Sequence, residues 1–176
     1  MKTRLLLIPA MVLGLCSLAQ ADVAGQVQVK MKIDSGCTVN NVQSTGTINT
    51  FGDLNFGTTD VTWANILTAQ VNTGAGTGEL AVSCGKANTP FQVSINGGVR
   101  GNRTMKHTTA TDTVTYNVYR DASRNTPFVI NTPESYTTAL ANTLTPVPVY
   151  GSVPTNAATP KTVGDYNDTL LVNFTF

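Results

Sequence analysis

The chain has 176 residues, of which 41% are hydrophobic and 12% charged, with eleven basic side chains, ten acidic ones and a single histidine. So even a balance leaves no basic footprint for nucleic acid and no polybasic segment for an anionic membrane, and the length suits one domain. Past the N-terminal stretch no apolar run reaches the roughly 18 residues needed to span a bilayer.

Residues 1–21 read as a cleaved secretory signal: Lys2 and Arg4 supply the positive start, residues 5–18 the apolar centre, and Ala19-Gln20-Ala21 the small-x-small cleavage site. Lipid attachment at Cys16 is disfavoured because Leu15 stands where a small residue is wanted. Removing 21 residues from 176 leaves 155, with nine basic and ten acidic side chains and a net charge of about −1. The expected divisions are residues 1–21 as signal, 22–36 as an N-terminal strand with its hinge, and 37–176 as the folded domain.

Residues 22–33 alternate. Val23, Val27, Val29, Met31 and Ile33 are apolar, Gly25 is the gap in that row, and Gln26, Gln28, Lys30 and Lys32 are polar between them, with Ala24 the exception. Period two is the pattern of a strand with one buried face. A short hinge, Asp34-Ser35-Gly36, follows without a hairpin signal, so this strand pairs at an edge or with another molecule.

Cys37 and Cys84 are the two cysteines outside the signal. In an exported chain they imply one disulfide, worth about 4 kcal/mol for a loop of this size on the chain-entropy account. The spacing lacks the CxxC form of a redox or metal site.

From Cys37 onward the pattern is one of short strands and polar turns. Residues 37–42 form the first. Phe51, Leu54 and Phe56 are candidate core residues in a glycine-flanked segment. Trp63 is expected as a core or rim plug, and Ile66, Leu67, Ala69 and Val71 follow it. The glycine-rich loop at 72–78 lacks the residues of a phosphate cradle and precedes a strand at 79–84, so it reads as a hairpin connection. Residues 90–96 alternate with Phe91, Val93 and Ile95 inward, and Asn96-Gly97-Gly98 supplies a turn. Residues 101–111 are polar, and His107 within them is expected as a solvated loop residue, since no nucleophile or carboxylate accompanies it. Residues 113–119 form a strand with Val114, Tyr116 and Val118 on one face, and a polar turn at 120–124 leads to Phe128. Residues 146–151 carry Pro146 and Pro148 and are expected only as an edge or irregular strand. Leu170, Val172, Phe174 and Phe176 make a second period-two row, which ends at the last residue and requires firm docking.

About eight to ten short strands and no amphipathic helix indicate an all-β, immunoglobulin-like antiparallel β-sandwich. No acid-base pair, nucleophile or metal cluster can be assembled, so an enzyme, a cofactor and a metal site are not expected.

The run Val-Ala-Gly-Gln-Val-Gln-Val-Lys-Met-Lys-Ile, then Ser-Gly-Cys-Thr-Val, Phe-Gly-Asp-Leu-Asn-Phe-Gly, Thr-Val-Thr-Tyr-Asn-Val-Tyr-Arg-Asp and Gly-Asp-Tyr-Asn-Asp-Thr-Leu-Leu-Val occur in that order. The chain in this respect resembles the archaic, Csu-type chaperone-usher pilins, which carry the spore coat protein U domain, and is most like a major shaft subunit. The resemblance implies a sandwich that is incomplete in the monomer and completed by a donor strand from a periplasmic chaperone or a neighbouring subunit, a mode of strand addition known in general. It implies donor residues Val23, Val27, Val29, Met31 and Ile33 with Gly25 among them, and a groove-edge strand bearing Leu170, Val172, Phe174 and Phe176. It further implies polymerisation with copies of itself, an outer-membrane usher, a tip adhesin among other pilus subunits, and export through the periplasm to a surface fibre for adhesion and biofilm formation. The alternatives are a self-complete secreted binding module, which would be a soluble monomer, and a minor pilus adaptor.

Overall fold

In a computed structural model, the described residues are 28–31, 36–40, 43–44, 49–71 and 80–176. The expected signal at 1–21, the donor positions Val23, Gly25, Val27 and Ile33, hinge residues Asp34 and Ser35 and the loop at 72–78 lie outside them. The chain divides into two compact units, residues 1–33 and 34–176.

The second unit is all-β, with no helix among the described residues. Its strands are β1 (Cys37–Asn40), β2 (Gln43–Ser44), β3 (Asn49–Thr50), β4 (Leu67–Gln70), β5 (Leu80–Cys84), β6 (Pro90–Ile95) and β7 (Thr104–His107), followed by β8 (Thr113–Thr115), β9 (Asn117–Tyr119), β10 (Glu134–Thr137), β11 (Thr145–Val147), β12 (Tyr150–Val153), β13 (Tyr166–Asn167) and β14 (Val172–Thr175). Every pairing is antiparallel, in the orders β1-β5-β11, β10-β6-β14, β4-β12-β9, β13-β7-β8 and β2-β3. These ladders form an immunoglobulin-like sandwich.

The core follows from the alternation. Phe91, Val93 and Ile95 of β6 are buried, as are Leu80 and Val82 of β5, Val114, Tyr116 and Val118, and Phe128 and Val147. Side chains at every second position of a strand share a face, and burying each such apolar group contributes about 1.5–3 kcal/mol. Cys37 and Cys84 are ladder partners joined by a disulfide.

Three expectations change in the folded chain. Residues 113–119 keep their inward face but divide at Tyr116: β8 pairs with β7, β9 pairs with β12, and the Tyr116 N–H donates to the Arg103 carbonyl at 2.9 Å. The chain thus turns a corner between sheets. Of residues 146–151, β11 is the edge strand expected, yet β12 runs between β4 and β9. Proline removes donors only at its own position, so the chain can enter a sheet interior from Tyr150 onward. Gly151 helps, because a Cβ there would meet Leu54 Cδ2 at 2.7 Å and Phe56 Cζ at 2.8 Å.

His107 is the third, and it is no solvated loop residue. It ends β7 and is buried, its Nδ1 accepting N–H bonds from Thr109 at 3.1 Å and Ala110 at 2.8 Å. An acceptor at Nδ1 assigns the ring proton to Nε2, which donates to the Val163 carbonyl at 3.0 Å. Both ring nitrogens are therefore occupied by backbone. Trp63 behaves as the plug expected, half-buried with Nε1 donating to the Pro154 carbonyl at 2.8 Å.

Candidate functional site

β14 ends the chain and forms a sheet edge, paired only with β6 among the described strands. Val172 lies opposite Ile95 and Phe174 opposite Val93. The Asn96 N–H donates to the Leu171 carbonyl at 3.0 Å, and that bond sets the phase of the ladder. In an antiparallel pair, alternate residues turn both backbone groups toward the same neighbour. Leu171, Asn173 and Thr175 thus face β6, while the N–H and C=O groups of Val172, Phe174 and Phe176 line the opposite edge.

What distinguishes this edge is the state of its side chains. The edges at β9 and β11, by contrast, are sealed: Val118 and Val147 are both 0% exposed. Leu170, Val172 and Phe174 point at the core yet stay half-buried, as do Cys37 and Val39 on the edge strand β1. Phe51 closes edge-on against Phe174, with ring centroids 5.5 Å apart. Phe176 stacks on Phe174 at 6.5 Å and lies 6.1 Å from Phe91, but is 57% exposed. The docking expected of the last strand is thus complete on the β6 side and unfinished at its final residue.

The start of β14 is held differently, by polar groups. The Asp168 carboxylate is 3% exposed, lies 3.7 Å from Arg100 Nη1, and accepts the Val99 N–H at 2.9 Å and the Tyr116 hydroxyl at 2.7 Å. Burial, then the bond to Asp168 and its charge, push the Tyr116 pKa upward, so the phenol remains a donor. Asn96 Oδ1 accepts from the N–H groups of Gly98 at 3.0 Å and Leu171 at 2.8 Å. Gly98 has φ 77°, and a Cβ there would collide with the Asp168 carboxylate. Beneath the turn, Arg103 is 4% exposed and donates through Nη1 to the Phe128 carbonyl at 2.6 Å.

Of the donor row, Val29 and Met31 are described, 92% and 81% exposed, and Gln28 and Lys30 are exposed as well. None of these four residues is in a strand. Asp168 was expected only as part of the Asp-Tyr-Asn-Asp run, and Asn96 and Gly98 only as turn residues. Their local signals are present in the Asn-Gly-Gly turn and the Asp-Tyr-Asn-Asp run, but the Asp168–Val99 bond spans 69 positions of sequence. Among the described residues no group of three or more His, Cys, Asp or Glu is arranged to hold a metal.

A family model of the Spore Coat Protein U domain matches residues 23–173. Among solved structures, the chain aligns with the CsuC-CsuE chaperone-tip adhesion subunit pre-assembly complex from archaic chaperone-usher Csu pili of Acinetobacter baumannii, at 19% identity and a TM-score of 0.44. That alignment covers 81% of this chain and 40% of the other, so this chain spans under half of that chain's length. No match is found among curated proteins.

Proposed function

The chain belongs to the Spore Coat Protein U domain family, and we propose that it is a structural pilin subunit which polymerises by strand donation. Residues 22–33 of one copy fill the β14 edge of the next. A periplasmic chaperone holds that edge beforehand, an outer-membrane usher is the site of exchange, and the fibre, with other pilus subunits such as a tip adhesin, serves surface attachment and biofilm formation.

The observation that carries this reading is the contrast between edges. β14 offers backbone groups and half-buried Val172 and Phe174 where β9 and β11 are sealed. An added strand supplies the missing ladder partners and covers those side chains with one apolar face. Five donor side chains at roughly 1.5–3 kcal/mol each give on the order of 7–15 kcal/mol before entropic costs, comparable with the net stability of a domain, about 5–15 kcal/mol. Folding of residues 22–33 into the chain's own groove is opposed by the short hinge at 34–36, which reaches only about 10 Å.

Lysine at Gln26 or Gln28 is expected to leave polymers intact, whereas Val27→Asp or Val29→Asp abolishes them. Negative-stain microscopy of expressing cells, with size-exclusion chromatography of the purified chain, makes the measurement. Equal effects at the odd and even positions, or fibres assembled solely from a variant lacking residues 22–33, contradict the proposal.

A further inference from the structure

The apolar row of the last strand does not specify its own register. Leu170, Val172, Phe174 and Phe176 repeat every two residues, and so do their counterparts Phe91, Val93 and Ile95 on β6. A slip by one residue would turn the row to solvent, which burial forbids. A slip by two keeps apolar against apolar, setting Leu170 opposite Ile95, Val172 opposite Val93 and Phe174 opposite Phe91. The ladder extends over only four residues on each strand, so some non-repeating contact has to choose between these frames.

The structure assigns that choice to Asp168 and Asn96, which we propose are positioning residues that pin β14 in its frame on β6 and so place the open edge for an incoming strand. The inference rests on the strand-acceptor reading above. Asp168 fits one location, where the Val99 N–H, the Tyr116 hydroxyl and the bare backbone of Gly98 converge on its carboxylate. Asn96 ties the same turn to the residue just before β14, through the Leu171 N–H. A two-residue slip moves a strand by about 6.6 Å, drawing the carboxylate away from its donors and leaving a buried charge unpaired. The pin is a pair of side chains at positions that break the repeat, and both act on β14 from outside the ladder. The same slip would displace Phe174 and Phe176 relative to Phe51, misaligning the edge that a donor strand must follow.

The test uses the full chain with Val27→Asp and Val29→Asp, so that its own N-terminal row is not a competitor. Two cysteine pairs report the frame. Gln92→Cys with Thr175→Cys marks the native register, because these exposed residues are ladder partners. Gln92→Cys with Asn173→Cys marks the slipped one. Disulfide formation under mild oxidation, which needs Cβ atoms about 3.5–4.5 Å apart, is the cross-link that reports the frame, and a synthetic peptide of residues 22–33 is the probe for strand uptake. Without further change the native pair links and the slipped pair does not. Asp168→Ala and Asn96→Ala each shift the ratio toward the slipped pair at least tenfold and slow peptide uptake at least tenfold. Asp168→Asn, which retains an acceptor for the Val99 N–H, restores most of both. Asp112→Ala is the control for general loosening, since Asp112 makes a comparable pair of bonds to Thr162 away from β14, and it alters neither readout. Native-frame linkage and normal uptake in both alanine variants overturn the inference, as does an equal effect of Asp112→Ala. Absence of peptide uptake before any pin residue is changed, alongside a shifted cross-link in Asp168→Ala, overturns the acceptor reading and leaves the pin standing.

Discussion

Asp112 illustrates how a single side chain can join distant loops. Its Oδ2 accepts the Thr162 N–H at 2.8 Å and the Thr162 hydroxyl at 2.6 Å. The hydroxyl bond first, and then the N–H bond, hold its pKa below the usual carboxylate value of about 3.9. A depressed folded-state pKa contributes stability that is present above the unfolded value and is lost as pH falls through the folded one. Asp112→Asn is therefore expected to flatten the acid limb of the stability profile below about pH 3.9, followed through Trp63 fluorescence. An acid limb as steep as in the parent contradicts this. His107 belongs to the same region. Its polar surroundings in sequence resembled a solvated loop, because the segment that covers it returns from residues 163–166 and leaves no local trace. Gly164 is part of that cover, since a Cβ there would collide with the imidazole.

Strands were legible where alternation alone decides them. β6 and the inward faces of residues 113–119 and of 170–174 follow from period two, because a strand with one buried face can place its apolar residues in only one way. β7 was missed, since Thr104, Lys106 and His107 carry no apolar rhythm and the burial of Thr104 and His107 comes with pairing to β8 and β13. The two faces of β14 separate cleanly by substitution. Phe174→Ala is expected to cost about 2 kcal/mol, less than the 3–5 kcal/mol of a fully buried phenylalanine because the ring is only half covered. Asn173→Lys on the outward face should change stability by less than about 0.5 kcal/mol. Urea denaturation of the purified chain decides this, and similar losses at both positions would remove the argument for an inward-facing row.

At the scale of the whole molecule, the disulfide stabilises the sandwich, and under the proposed function a donated strand is a second stabiliser of it. Cys37 begins β1, one of the half-covered edges, and Cys84 ends β5 in its sealed interior. The bond thus fastens the weak side to the strong one. Replacing both cysteines by serine should cost about 4 kcal/mol on the chain-entropy account, comparable with the lower end of a domain's net stability of about 5–15 kcal/mol. The double-serine chain is expected to unfold at a much lower urea concentration, and to recover by about 2.7 kcal/mol when the peptide of residues 22–33 is supplied at roughly a hundred times its Kd. Unfolding midpoints with and without peptide supply the measurement. A midpoint unmoved by peptide would show that the donor sequence is no part of this stability.

The amino-acid sequence by itself determined the all-β class, the disulfide partners and the inward rows, because period-two patterning, turn residues and a pair of cysteines act locally or leave only one combination. Tertiary structure alone decided which edges keep half-buried apolar residues, where β12 inserts and which polar groups meet at the start of β14. Those outcomes depend on contacts between residues far apart in the chain, such as Asp168 with Val99 and Tyr116. A repeating apolar strand carries its face in its own pattern, but its register and neighbours are set by the groups that fold against it.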